Sequence, residues 1–169
     1  MVNKNTKRES KEIYISTDIE MNGPIPGEYS MLSLGAVAFS PTGKILGRFY
    51  EKLKPLTGAK EHPDVMSFWG ENPLAYKEAT SNQKSPEKVM ESYVYWVEKL
   101  SQKHKSFPIF LGWPLTLDYL FTYWYMVKFV KRLQKLHPFE IPFSFNKAID
   151  VNSFVMAHLK KSYLRSTKI

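Results

Sequence analysis

Two acids separated by a single residue, Asp18 and Glu20, follow the β-rich run Glu12–Thr17 (E-I-Y-I-S-T). In a strand, residues i and i+2 project to the same face, so both carboxylates point into one space. Like charges held so close repel, and they persist where a cation lies between them or water surrounds them. An oxygen-only donor set suits a hard divalent ion, Mg²⁺ or Mn²⁺. The plainer alternative is a solvated strand end bearing two surface acids. A third acid, Asp118, lies one turn into an otherwise apolar helix, among Leu117, Leu120, Phe121 and Trp124. A carboxylate there is expensive unless it is paired or metal-bound. Its alternatives are a Lys or Arg partner, or a position facing water. Zinc is not indicated, because the chain has no cysteine and His62, His104, His137 and His158 have no ligand spacing.

Local pattern predicts the elements that must position these acids. Glu12–Thr17 reads as a strand, Asn22–Ser30 with two Gly and two Pro as a loop, and Met31–Phe39 as a buried strand. Ser40–Gly43 is a turn, and the alternating Lys44–Leu53 is a third strand, which starts an antiparallel meander. Asp64–Gly70 suggests a short helix capped by Asp64, with a second after Pro73. Pro86–Lys103 is the clearest amphipathic helix, with Val89, Tyr93, Trp96, Val97 and Leu100 at three- and four-residue spacing. Ile109–Leu111 is a short strand ending in Gly112-Trp113-Pro114. A long helix, Leu115–Leu136, follows; its basic end (Lys128, Lys131, Arg132, Lys135) suits the helix dipole. Lys147–Ile149 reads as a last strand. Asp150 then caps a final helix, Val151–Lys161, with Val151, Phe154, Val155 and His158 on one side. This order indicates an α/β layered domain with a central mixed sheet.

Composition bounds the class. The 169 residues suffice for one domain; 43% are hydrophobic and 24% charged, which excludes disorder for the chain as a whole. The net charge of +8 favours polyanionic partners such as nucleic acid. Met1–Lys11 is polar and charged, and reads as a flexible basic arm rather than a signal peptide. Pro108–Val130 is apolar enough to suggest a membrane span, but Pro108, Gly112, Pro114 and Asp118 interrupt it. The expectation is a cytoplasmic protein without membrane contact. A basic cluster of Lys160, Lys161, Arg165 and Lys168 could track phosphates or form a solvated tail.

The motif D-I-E at Asp18–Glu20, followed by G-A-V-A-F at Gly35–Phe39, resembles the first motif of DEDD-type 3′–5′ exonucleases, which have the ribonuclease H-like fold. The stretch Gly112–Tyr125, with Asp118 early in its helix, resembles the second motif. His62–Trp69 (H-P-D-V-M-S-F-W) and Ile149–Phe154 (I-D-V-N-S-F) are similar to the DEDDh, ribonuclease T-like branch. The resemblance implies a single exonuclease-like domain over residues 12–169, hydrolysing single-stranded DNA or RNA ends by two-metal-ion catalysis. Asp18, Glu20 and Asp118 would be the catalytic, metal-holding residues. Met21, Asn22 and Trp113 are the candidate substrate contacts, with Trp113 able to stack a terminal base. For Trp113 and Trp69 the plainer reading is core packing. Related enzymes often work as dimers, so a homodimer is a further implication, although no heptad or exposed apolar stripe demonstrates one.

The family's third motif places a His five residues before a final Asp, or a Tyr four before it. The residues five after the four histidines are Ser67, Ile109, Pro142 and Tyr163, and the Tyr four before an Asp is Tyr14, inside the first motif. Asp150 reads as a helix cap rather than a replacement ligand. The expectation is therefore a C-terminally truncated exonuclease domain with an impaired second metal site, weak or inactive as it stands. Two alternatives remain open. One is a catalytically dead nucleic-acid-binding or protein-interaction module; the other is a basic α/β adaptor whose acids are incidental.

Overall fold

In the computed structural model the structure describes residues 12–144 and 146–160. Met1–Lys11 and the basic residues beyond Lys160 lie outside the described residues. Five strands form one mixed sheet: β1 (Glu12–Met21), β2 (Met31–Phe39), β3 (Ile45–Lys52), β4 (Phe107–Gly112) and β5 (Ala148–Asp150), in the order β3-β2-β1-β4-β5. The first three form the expected antiparallel meander, and β4 and β5 add in parallel on the other side of β1. The helices are α1 (Pro63–Glu71), α2 (Pro73–Thr80), α3 (Pro86–His104), α4 (Leu115–Phe129) and α5 (Val151–Leu159), with a short 3₁₀ turn at Leu133–Lys135. A mixed sheet flanked by helices is the arrangement that the family resemblance implied.

Period-two alternation along β1 decides which side is core. Ile13, Ile15, Thr17 and Ile19 are buried, whereas Tyr14, Ser16, Asp18 and Glu20 face the other way. Leu34, Ala36 and Ala38 of β2 join the buried side, against Val89, Tyr93, Val97 and Leu100 of α3 and Phe121, Tyr125 and Met126 of α4. Two polar pairs bridge that core: Thr17 Oγ1 and the Tyr93 hydroxyl lie 3.1 Å apart, and Tyr125 Oη accepts the Met31 N–H at 2.7 Å, whereas the buried Thr122 hydroxyl has no partner among the described residues. A smaller cluster of Leu32, Trp69 and Ala79 seats α1 and α2.

Several boundaries differ from expectation. The first strand runs on to Met21 rather than ending at Thr17, with Asp18 and Glu20 at its end as expected. Asp64 does not cap α1; it lies in the first turn, and the cap position is His62, with Pro63 starting the helix. Helix α4 stops at Phe129 rather than Leu136, leaving Lys128 as the basic residue of its last turn. Gln134 explains the stop: its Nε2 donates to the carbonyls of Val127 and Lys128 at 2.9 and 3.0 Å, while Leu133 turns into the core. In α5 the expected apolar side is largely open, with Phe154 62% exposed and stacked on His158.

Candidate active site

β1 outruns its parallel neighbour. The β1–β4 ladder ends at the pair Ser16 and Leu111, and β4 itself ends at Gly112. Beyond that point the two strands part, and among the described residues the β1 backbone has no strand partner on that side. Asp118, in the first turn of α4, fills the fork. Its Oδ1 accepts the Ile19 N–H at 3.3 Å, and its Oδ2 accepts the Trp113 N–H at 3.2 Å. The residue is buried at 3% exposure. Among the described residues neither plain alternative for this acid holds, since it is buried from bulk water and is bound by backbone N–H groups rather than a cation.

Asp18 and Glu20 flank Ile19, the residue that Asp118 grips. Burial raises the Asp18 carboxyl above its ordinary value. Burial and then the Asp18 charge raise Glu20. Asp118 is pushed up to about 6, first by burial and then by the charge of Asp18. The Ile19 and Trp113 N–H groups pull the other way, and Glu20 adds a smaller push. The acids are thus one electrostatic cluster, assembled from positions a hundred residues apart in sequence. Among the described residues no Lys or Arg is ion-paired with any of the three. Arg48 shares a groove with Asp18, Ser16, Gly35 and Tyr50 on the outer sheet face.

In donor type and uncompensated charge this set fits a hard divalent cation. Among the described residues, no three such groups are gathered tightly enough to hold one ion as they stand. Asp18 and Glu20, at exposed and half-exposed strand positions, have freedom to rotate. His62 donates its backbone N–H to the Asn22 carbonyl at 2.8 Å.

The expected substrate contacts divide. Trp113 is 59% exposed, so core packing does not describe it. Trp69 is core, and its Nε1 donates to the Met21 carbonyl at 3.0 Å. Met21 is half-buried at the end of β1. Asn22 is buried, and its Oδ1 accepts the Ser30 N–H at 2.6 Å, which clasps the glycine- and proline-rich loop.

Two residues that the sequence reading did not place at the site belong to its frame. Gly112 has little room for a side chain: a Cβ there would lie 3.1 Å from Leu115 Cα and 3.2 Å from Asp118 Oδ2. Asp150 caps α5 as expected, with Oδ1 accepting the Ser153 N–H at 2.7 Å. Its other oxygen reaches α4, accepting the Leu115 N–H at 3.1 Å. Hydrogen bonding to Ser153 holds its pKa below the ordinary carboxylate value.

No protein-family model matches the chain. The 3′-5′ DNA exonuclease Cap18 of Escherichia coli is 30% identical over 165 residues, which covers 96% of this chain and 79% of that protein. Among solved structures, E. coli exonuclease I in complex with a dT13 oligonucleotide superposes with a TM-score of 0.61 at 14% identity, over 88% of this chain. The chain spans only 30% of that structure's length. A zinc-bound form of the exonuclease I–ssDNA complex gives 0.59 over the same share of each chain. The nuclease domain of 3′hExo, a DEDDh family member bound to rAMP, gives 0.61 at 13% identity, covering 89% of this chain and 72% of that one. The solved structures share the fold, the Cap18 alignment runs through nearly the whole sequence, and the chain belongs to the DEDD-type 3′–5′ exonuclease family.

Proposed function

We propose that residues 12–169 form an exonuclease domain that hydrolyses the terminal phosphodiester of single-stranded nucleic acid, with Asp18, Glu20 and Asp118 holding Mg²⁺ or Mn²⁺. The observation that carries this reading is the seating of Asp118 in the fork between β1 and β4, beside Asp18 and Glu20 and, among the described residues, without a cationic partner. Three acids kept together against their own repulsion suit a bound cation better than a solvated surface. A divalent cation there would supply a water of lowered pKa and would offset charge on the leaving 3′ oxygen.

The chain's own groups set the geometry. The Ile19 and Trp113 N–H groups fix the Asp118 carboxylate. Trp113, exposed next to that contact, offers a face on which a terminal base can stack. The Cap18 relative is named a DNA exonuclease, and single-stranded DNA is the substrate we assign first. No His in the sequence stands five residues before an Asp. Loss of a general base typically costs about 10²–10⁴-fold in rate, so slow turnover is expected from this polypeptide alone.

The test is incubation of the chain with 5′-labelled single-stranded DNA and RNA in Mn²⁺. Progressive shortening from the 3′ end, abolished by Asp18→Ala, supports the reading. Salt-dependent binding without shortening would favour the binding module. Neither binding nor shortening, with no Mn²⁺ uptake, would leave the adaptor.

A further inference from the structure

We propose that Asp150 is a positioning residue for the metal-holding cluster, acting through the first turn of α4 on Asp118. This rests on the metal-site reading above. Helix α4 starts without a side-chain cap of its own, because its cap position is Pro114. Its first N–H groups need acceptors from elsewhere. The Pro114 carbonyl takes Leu117 N–H at 3.2 Å and Asp118 N–H at 3.5 Å, and Asp150 takes Leu115 N–H. That bond comes from a neighbouring strand. Asp150 ends β5 and stands directly opposite Gly112, the last residue of β4. Its two oxygens serve different helices, Oδ2 for α4 and Oδ1 for α5.

The coupling to Asp118 is short. Leu115 and Asp118 are three residues apart on one helical turn, so a shift of the first carries the second. Clearance is tight on the sheet side, where the position of a Cβ on Gly112 would crowd both Leu115 Cα and Asp118 Oδ2. The two bonds that seat the Asp118 carboxylate are 3.3 and 3.2 Å long, so they have little slack for a displaced helix end. Asp150 therefore clamps β5, α4 and α5 at one point and sets where the third acid stands relative to the first two.

The test compares wild type, Asp150→Ser and Asp150→Asn of the 169-residue chain by Mn²⁺ titration calorimetry and by amide NMR without metal. Serine retains the α5 cap but is too short to reach α4 as well, so the melting temperature reports the cap separately. The expected result is Mn²⁺ binding weakened about tenfold in Asp150→Ser, with the Ile19 and Trp113 amide resonances shifted even without metal. Asp150→Asn, which retains the length and one acceptor oxygen, is expected to fall between the two; it stands in for serine if that variant does not fold. Mn²⁺ affinity within twofold of wild type in the folded variant overturns the proposal while leaving the metal site intact. Wild type that takes up no Mn²⁺ overturns the site reading, and this inference with it.

Discussion

Asp118→Asn is expected to stabilise the metal-free protein at pH 8, although it removes a residue of the proposed site. Burial, then the Asp18 charge, lifts the Asp118 carboxyl from 3.8 to about 6. The folded state thus holds this proton more tightly than the unfolded state does. Its contribution to stability is full below pH 4, declines as pH rises to about 6, and is flat beyond. Keeping the ionised group in its fork costs the fold about 3 kcal/mol at pH 8. Asparagine removes that cost but turns an NH₂ toward one of the two backbone N–H groups, a loss of about 1 kcal/mol. The net gain of about 2 kcal/mol corresponds to a melting temperature raised by about 4–8 °C for a domain of this size. Circular dichroism melts in EDTA from pH 4 to pH 8 measure it. The advantage of the variant should be absent at pH 4 and grow up to pH 6. A variant no more stable than wild type at pH 8, or a difference that ignores pH, would refute the electrostatic reasoning.

Mn²⁺ at a hundred times its dissociation constant should stabilise wild type by about 2.7 kcal/mol, and Asp18→Ala should remove the effect in a thermal melt. Gly112→Ala should destabilise the fold by about 1–3 kcal/mol and weaken Mn²⁺ uptake, because its Cβ meets Leu115 and Asp118; denaturant titration and calorimetry check the two halves. Trp113→Ala should weaken single-stranded oligonucleotide binding by about 1–3 kcal/mol while leaving the melting temperature unchanged, since the side chain stands mostly in solvent. Trp69→Ala should instead cost about 3–5 kcal/mol of stability, because that ring is core and bonded to Met21.

The acids of the site were legible because strand alternation is local: Asp18 and Glu20 share a face whatever surrounds them. An acid among Leu117, Leu120 and Phe121 was equally conspicuous. What holds Asp118 was not legible, since its partners are backbone N–H groups of Ile19 and Trp113, which carry no side-chain signature. The end of α4 escaped for a related reason. Its apolar-to-basic sequence runs on smoothly, and the helix is stopped by Gln134 folding back and Leu133 turning inward. The α5 cap at Asp150 followed from D-V-N-S, but its second bond, to a helix 35 residues earlier, is tertiary. Exposure of Trp113 likewise depends on the turn that carries it and not on its residue type.

The strand bearing Asp18 and Glu20 is the middle one of the sheet, laddered to β2 on one side and to β4 for half its length on the other. Up to Ser16, where it is laddered on both sides, its amides should exchange with deuterium among the slowest in the molecule, and the stretch beyond is tied by the β2 ladder and by the Asp118 contact at Ile19. Those two acids therefore stand on a fixed platform. Any breathing that would admit or eject an ion at the proposed site falls to side-chain rotation and to the α4 end, and a condition that loosens this site should register first in the protection of Leu115.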